Sequence, residues 1–311
     1  MRNDMTLTDM RYLVALASER HFGRAADKCH VSQPTLSVAI KKVEEALSLQ
    51  LFERSSAEVR VTQIGEEIIA QIKKILQEVA YIDEIVTAGK DPLVGVLKLG
   101  VIYTIAPYLL PKLIGHVHHL APQMPLQIEE NYTSRLLDAL KQGALDVIVA
   151  ALPLDEPGIV SMPIYDEPFR VLLPSEHSWG SNQAIAPQDL AQEKLLLLSA
   201  GNCFRDQVLK ACAAYQSHSG LQRTLEGSSL ETIRHMVATG LGITVLPSSA
   251  ADDPVSKNPL VQVKPFSEPE PFRTVAIAWR VTYPRNKAID IIRSAIEMSA
   301  LPGVYWRKRS H

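Results

Sequence analysis

Cysteine is scarce in this 311-residue chain: three residues, at positions 29, 203 and 212, with no C-x-x-C pair. An odd, sparse set excludes a secreted disulfide framework, and the missing C-x-x-C removes a thioredoxin-like redox motif. In a reducing compartment such thiols are structural, metal-binding or redox-active. Long apolar runs are also missing. The longest, Ala144 to Leu154, is broken by Asp146 and Pro153 and falls short of the ~18 residues a membrane span needs. The first ten residues mix charges with single apolar side chains and lack the apolar core of a secretory signal, so a cytoplasmic location is expected and no membrane partner. Nor is there an excess of one charge. The formal net charge is -2, and residues 1–62 carry nine Lys and Arg against eight Asp and Glu, so bulk charge announces no nucleic acid. His21 and His30 flank Cys29 without compact ligand spacing. They read as surface or capping histidines, Cys29 as core packing, and no metal or other cofactor is expected.

What is present is a globular composition, 46% apolar and 21% charged, at a length that suits two or three domains. Residues 8–48 read as three helices joined by short turns. Met10, Leu13, Val14 and Ala17 hold helical spacing in the first, and Gly23 to Cys29 makes a short second. In the third, Ser32 is an N-cap, Pro34 fits the first turn, and Leu36, Ile40, Val43 and Leu47 share one face. After a cap at Thr62, Ile68, Ile72, Ile75, Val79, Ile82 and Val86 step by 4, 3, 4, 3, 4. That is a heptad seam, which on a helix of about 25 residues asks for a partner helix and predicts dimerisation; the alternative is packing against its own chain. Asp91-Pro92 and Gly95 mark a boundary. Beyond it Leu97–Val101, Tyr108–His119, Leu126–Glu130, Ser134–Gln142 and Asp146–Ala150 alternate strand and helix with parallel crossovers expected. A second set follows: strands at Arg170–Leu173, Leu195–Leu198 and Ile243–Leu246, helices near Asp206–Gln216 and Leu230–Thr239. A strand at Thr274–Trp279 and a helix at Asn286–Ser299 then return to the first set.

The run Ala25-Ala26-Asp27-Lys28-Cys29-His30-Val31-Ser32-Gln33-Pro34-Thr35-Leu36-Ser37 is similar to the helix-turn-helix signature of LysR-type regulators. The similarity continues through Leu51-Phe52-Glu53-Arg54 and Val61-Thr62-Gln63-Ile64-Gly65. His30 stands where such turns often hold Gly. The resemblance implies an α+β multi-domain chain. It comprises a winged helix-turn-helix (1–62), a long coiled-coil linker helix (63–90) and a two-lobed α/β effector domain of periplasmic-binding-protein type (91–311). Lobe I would span about 95–164 plus 268–300 and lobe II about 165–267. On the third helix Gln33, Pro34, Thr35, Ser37, Lys41 and Lys42 would face double-stranded promoter DNA, with amide and hydroxyl groups for base edges and lysines for phosphates. Arg54 and Arg60 in the wing would add phosphate contacts.

In the second lobe Gly201-Asn202-Cys203-Phe204-Arg205-Asp206-Gln207 sets a cysteine at a helix N-terminus with Arg205 nearby, an environment that favours thiolate. Cys212, on the stripe of Val208, Leu209 and Ala213, reads as a buried thiol. This pair, Thr104 to Pro111, Ser228 to Thr232 and Gly242 to Pro247 resemble the hydrogen-peroxide-sensing members of the same family over about residues 6–300. The resemblance implies that Cys203 is the peroxidatic thiol and Cys212 the resolving one. Thr104 would hold the peroxide, with Asn202, Arg205 and Asp206 around the pocket. Asn202 replaces an expected histidine, which removes a ring nitrogen from the proton transfers. It further implies a homodimer or homotetramer, RNA polymerase and a cellular thiol reductant as partners, and a regulator rather than an enzyme. The competing reading is a regulator that binds a small organic anion between the lobes through groups such as Thr104 and Ser229. A peroxidase, from a different class, would have no use for the reader helix. If residues 203–212 are helical, the two Cα atoms lie ~13.5 Å apart, whereas a disulfide needs them within ~7 Å.

Overall fold

The computed structural model describes residues 5–54, 59–212 and 226–308. The chain forms two compact units, residues 1–86 and 87–311.

The first unit opens with α1 (Leu7–Glu19), α2 (Phe22–Lys28) and α3 (Gln33–Leu47). Each start is fixed by a side chain that satisfies an otherwise orphaned amide. Thr6 and Asp9 form a reciprocal capping box on α1, His21 Nδ1 accepts from Arg24 N, and Ser32 Oγ accepts from Thr35 N. His21 is thus a cap. His30 turns the chain between α2 and α3 with a left-handed φ of 55°, so the turn forms without glycine. Strands β1 (Phe52–Arg54) and β2 (Val59–Val61) pair antiparallel as a small wing, after which α4 runs from Gln63 to Lys90. Thr62 Oγ1 accepts from Gly65 N at 3.0 Å to start α4.

Leu13, Leu16, Ala25, Ala26, Leu36, Ile40 and Val43 meet Leu51, Phe52, Ile69 and Ile72 in one core. Here the seam expectation is corrected. Ile72 is buried in its own domain and Ile68 packs against the same core, so Ile72 has no surface left for a partner helix. Ile75, Ile82 and Val86 are exposed and Val79 is half-buried. The first turns of α4 are spent on intrachain packing, and only the later part of the stripe remains open.

The second unit is an α/β body on one ten-stranded sheet, counted over the described residues. Strands β3 (Leu97–Ile102), β4 (Leu126–Asn131) and β5 (Val147–Ala151) are parallel neighbours, joined by α5 (Ala106–Leu120) and α6 (Thr133–Lys141). Then comes β6 (Ile159–Pro174), followed by β7 (Leu195–Leu198), α7 (Cys203–Ala211), β8 (Glu226–Gly227), α8 (Leu230–Ala238) and β9 (Ile243–Pro247). A short α9 (Ser248–Ala251), β10 (Val261–Pro265), β11 (Phe272–Arg280), α10 (Asn286–Met298) and β12 (Tyr305–Trp306) complete it.

At sixteen residues, β6 is far longer than the Arg170–Leu173 stretch read from sequence. Its first part pairs with β11 and its second with β9 and β10, so one strand passes through two cores. One core gathers Leu97, Leu99, Leu109, Leu136, Val149, Tyr165 and Ile292; the other gathers Phe169, Leu172, Leu196, Phe204, Val208, Ile233 and Leu246. No described helix is long and apolar enough to cross a membrane.

Candidate functional site

The loop after β7 turns sharply at Gly201, whose φ of 94° would strain any other residue. It delivers Cys203 as the first residue of α7. Asn202, buried, does not cap the helix with its side chain. Its Nδ2 donates to Ser199 O at 3.1 Å and ties the loop to the strand end. Cys203 is partly buried and leans on the core of the opposite lobe. There Thr133, the first residue of α6, donates its hydroxyl to Cys203 Sγ at 3.4 Å. Two helix N-termini therefore meet at one sulfur. Cys203 also opens onto a cavity of about 1030 Å³ between the lobes, shared with Asp206, Gln207, Lys210, Leu154, Phe272 and Arg273.

At the base of this cavity is a charged pair whose side chains are fully buried: Arg273 Nε to Glu167 Oε2 at 2.6 Å. Glu167 Oε1 also accepts from Ser249 N, and the Arg273 guanidinium lies 5.0 Å from the ring centroid of Phe204, the residue after Cys203. Arg273 Nη1 donates to Thr104 Oγ1 at 2.8 Å and Nη2 to Thr104 O at 3.1 Å. Thr104 is buried, and the α5 cap falls on Ile105 with no side-chain bond, so Thr104 does not cap α5. Among the described residues it is Thr133, not Thr104, that bonds the thiol; Thr104 joins the site through Arg273.

Arg205 departs from expectation. Its Nη1 donates to Leu198 O at 2.7 Å and pairs with Glu226 at 2.6 Å, so the guanidinium buttresses the β7 loop and its charge is already answered by a carboxylate. Asp206 is exposed on the cavity wall. At the far end of α7, Cys212 is the C-cap residue, 1% exposed, its thiol pushed up from 9.0 to about 11 by burial. The helix ends at Ala211, earlier than read from sequence; positions 213–216 of the expected helix lie outside the described residues.

Sequence reasoning missed Thr133, Glu167 and Arg273. A glutamate and an arginine beside the apolar runs of β6 and β11 were the available signal, since such charges survive burial only in pairs.

On α3, Gln33, Pro34, Thr35, Lys41 and Lys42 are exposed and Ser37 half-buried. The Thr35 hydroxyl lies 2.8 Å from Ser32 Oγ and shares in the cap. Arg60 is exposed on β2, while the Arg54 side chain lies outside the described residues. Cys29 is half-buried at the end of α2, and burial raises its pKa.

Residues 7–66 match the family model for bacterial regulatory helix-turn-helix proteins of the lysR family, and residues 90–298 match the LysR substrate binding domain. The chain is 38% identical over 292 residues to the DNA-binding transcriptional dual regulator OxyR of Escherichia coli, covering 94% of this chain and 95% of that one. A full-length OxyR variant from Pseudomonas aeruginosa is 50% identical, covers 99% of both chains and superposes with a TM-score of 0.78. An OxyR mutant from Corynebacterium glutamicum, solved with hydrogen peroxide bound, is 32% identical over 96% of this chain and 93% of that chain, with a TM-score of 0.64.

Proposed function

The chain belongs to the LysR family of bacterial helix-turn-helix regulators, and we propose that it is a cytoplasmic transcription regulator whose signal is hydrogen peroxide. One observation carries this reading: a cysteine at the junction of two helix N-termini, hydrogen-bonded by a threonine and open to a cavity, with a second, sealed cysteine at the other end of its own helix. The Cys203 thiolate attacks one peroxide oxygen, the O–O bond breaks, and hydroxide leaves as water once protonated; Cys203 becomes a sulfenic acid. Thr133 holds the sulfur or the incoming oxygen. Arg273 fixes Thr104 at the base of the site, and Gln207 offers an amide on the cavity wall.

The second step forms the Cys203–Cys212 disulfide and releases water. While α7 is intact its ends are ~13.5 Å apart, so the helix opens before the bond closes. Opening also frees Cys212 from the burial that suppresses its ionisation. Broken packing makes the disulfide easier to reduce, by ~30 mV for each ~1.4 kcal/mol of strain, and a cellular thiol reductant resets the sensor. The remodelled effector domain alters contacts within a homodimer or homotetramer. That moves the reader helices on promoter DNA and changes recruitment of RNA polymerase. In this reading residues 1–62 bind DNA, residues 63–90 pair subunits through Ile75, Val79, Ile82 and Val86, and residues 91–311 sense. Gln33, Thr35 and Ser37 approach base edges, while Lys41, Lys42, Arg54 and Arg60 approach phosphates.

Mass spectrometry of the full-length chain after stoichiometric peroxide tests this reading. The expected product is a Cys203–Cys212 linked peptide pair, with Cys29 remaining a thiol. A cavity of about 1030 Å³ is much larger than peroxide and favours a second reading, an organic effector with an acidic group near Lys210. If DNA binding ignores peroxide but answers such a metabolite, the cysteines are incidental.

A further inference from the structure

One large apolar side chain of α3 takes no part in holding the fold. Val38 is 68% exposed, more than any other large apolar residue described in the first unit. At 100° per residue it points about 170° away from the mean direction of Leu36, Ile40 and Val43, the side chains that anchor the helix. It therefore sits at the crest of the outward face. Pro34, exposed, lies one turn before it, and Lys41 and Lys42, both exposed, lie one turn after. Lys41 is within 3.7 Å of Glu45, which puts the first acidic group of that face a further turn along.

We propose that Val38 reads thymine, packing on its C5 methyl in the major groove. This rests on the assignment of α3 as the reader helix. Among base edges in that groove only thymine offers an apolar group. Against valine, a guanine, adenine or cytosine edge would lose water from donors and acceptors that find no partner. The neighbouring Thr35, its hydroxyl shared with Ser32, lies to one side, so between it and the lysines the crest carries the proline ring and the two valine methyls. A β-branched side chain in a helix is already held in one rotamer, so little entropy is lost on contact. The lysines on the next turn neutralise phosphates and bring the crest to the groove floor.

The test uses the reduced full-length chain and a pool of duplexes with randomised sequence. Sequences retained by the native protein are determined, and each thymine is then replaced singly by deoxyuridine, which pairs identically but lacks the methyl. At one thymine of the recognised element the replacement weakens native binding about three- to fivefold, the value of one buried methyl. V38A binds the two duplexes alike and its selected pool loses the thymine preference at that position alone. V38T, which keeps one methyl, gives an intermediate penalty and decides the matter should V38A retain no duplex. The inference is overturned if no uracil replacement matters to the native chain, or if V38A keeps the penalty. A Q33A pool separates the two levels. If Q33A changes the selected sequence while V38A does not, only the role of Val38 fails; if neither changes it, α3 is not the reader.

Discussion

The two ends of α7 hold the same functional group in opposite surroundings. Cys203 stands at the positive end of its helix, takes a hydrogen bond from a second helix start and opens onto a cavity. Cys212 stands nine residues on, sealed in apolar packing where burial alone pushes its thiol to about 11. One end is built to be attacked and the other to wait. A shared helix also means that neither thiol can reach the other without losing the structure that distinguishes them. The asymmetry extends beneath the helix. The Cys203 end rests on the Arg273–Glu167 pair through Phe204, the Cys212 end on Val208 and its neighbours.

The largest expected effect comes from breaking the charged support. Arg273→Ala leaves Glu167 buried without its counter-charge and should cost about 3–5 kcal/mol, read as a lowered urea midpoint of the effector domain in the reduced full-length chain. Replacing both members, Arg273→Met with Glu167→Met, should restore most of that loss, because two apolar side chains have no charge to desolvate. Cys212→Ala at the other end should cost far less. A small loss for Arg273→Ala would mean that water, not the pair, solvates this end.

The same contrast gives a pH dependence. The folded Cys212 thiol ionises near 11 and an unfolded one near 9.0, so folding keeps a proton that the unfolded chain gives up. Its contribution is complete below about pH 9 and is lost as pH rises towards 11. Two pH units correspond to about 2–3 kcal/mol. The buried Tyr108 and Tyr165 hydroxyls, also raised by burial, add to the alkaline loss, so the quantity to measure is the difference between native and Cys212→Ala chains. The native chain should lose more stability between pH 8 and pH 11. Equal losses would show that Cys212 is not sealed in solution.

How far the sequence carried depended on the range of the interactions involved. The helices of the first unit were legible because Ser32, Pro34 and the Leu36, Ile40, Val43 stripe act within one or two turns. The placement of Cys203 at a helix start was legible for the same reason. The heptad stripe was also correctly periodic, but periodicity reports a face and not its occupant, and α4 gives Ile72 to its own core. The extent of β6 was obscured by Pro163 and Pro168, which argue against a strand interior. The structure absorbs Pro163 at a register shift opposite Val275 and Ala276. Arg273 and Glu167 are 106 residues apart and Thr133 and Cys203 are 70 apart. No local pattern links such pairs; only the sheet order, with β11 beside β6, brings the first together. Arg205 shows the converse error, where nearness in sequence suggested a partner for the thiol and the fold gave the guanidinium to Glu226.

The smallest expected effect tests the contact that separates the two thiols most directly. Thr133 is half-buried and meets the reacting atom through a hydroxyl hydrogen bond, so Thr133→Val should preserve the fold while deleting that donor. A single hydrogen bond is worth about 0.5–1.5 kcal/mol net, somewhat more when the acceptor carries charge. The second-order rate of Cys203 oxidation by peroxide at neutral pH should therefore fall about three- to tenfold, measured by stopped-flow mixing with trapping of the sulfenic acid. Thr133→Ser, which keeps the hydroxyl, should stay within about twofold of native, and the slow alkylation of Cys212 in the reduced chain should be the same in all three. If Thr133→Val oxidises at the native rate, the hydroxyl is a bystander, and the place of Cys203 at the helix start and on the cavity is enough to set that end apart. If Cys212 alkylation quickens as well, the substitution has loosened α7, and the two ends are coupled in the reduced state more tightly than their separate packing implies.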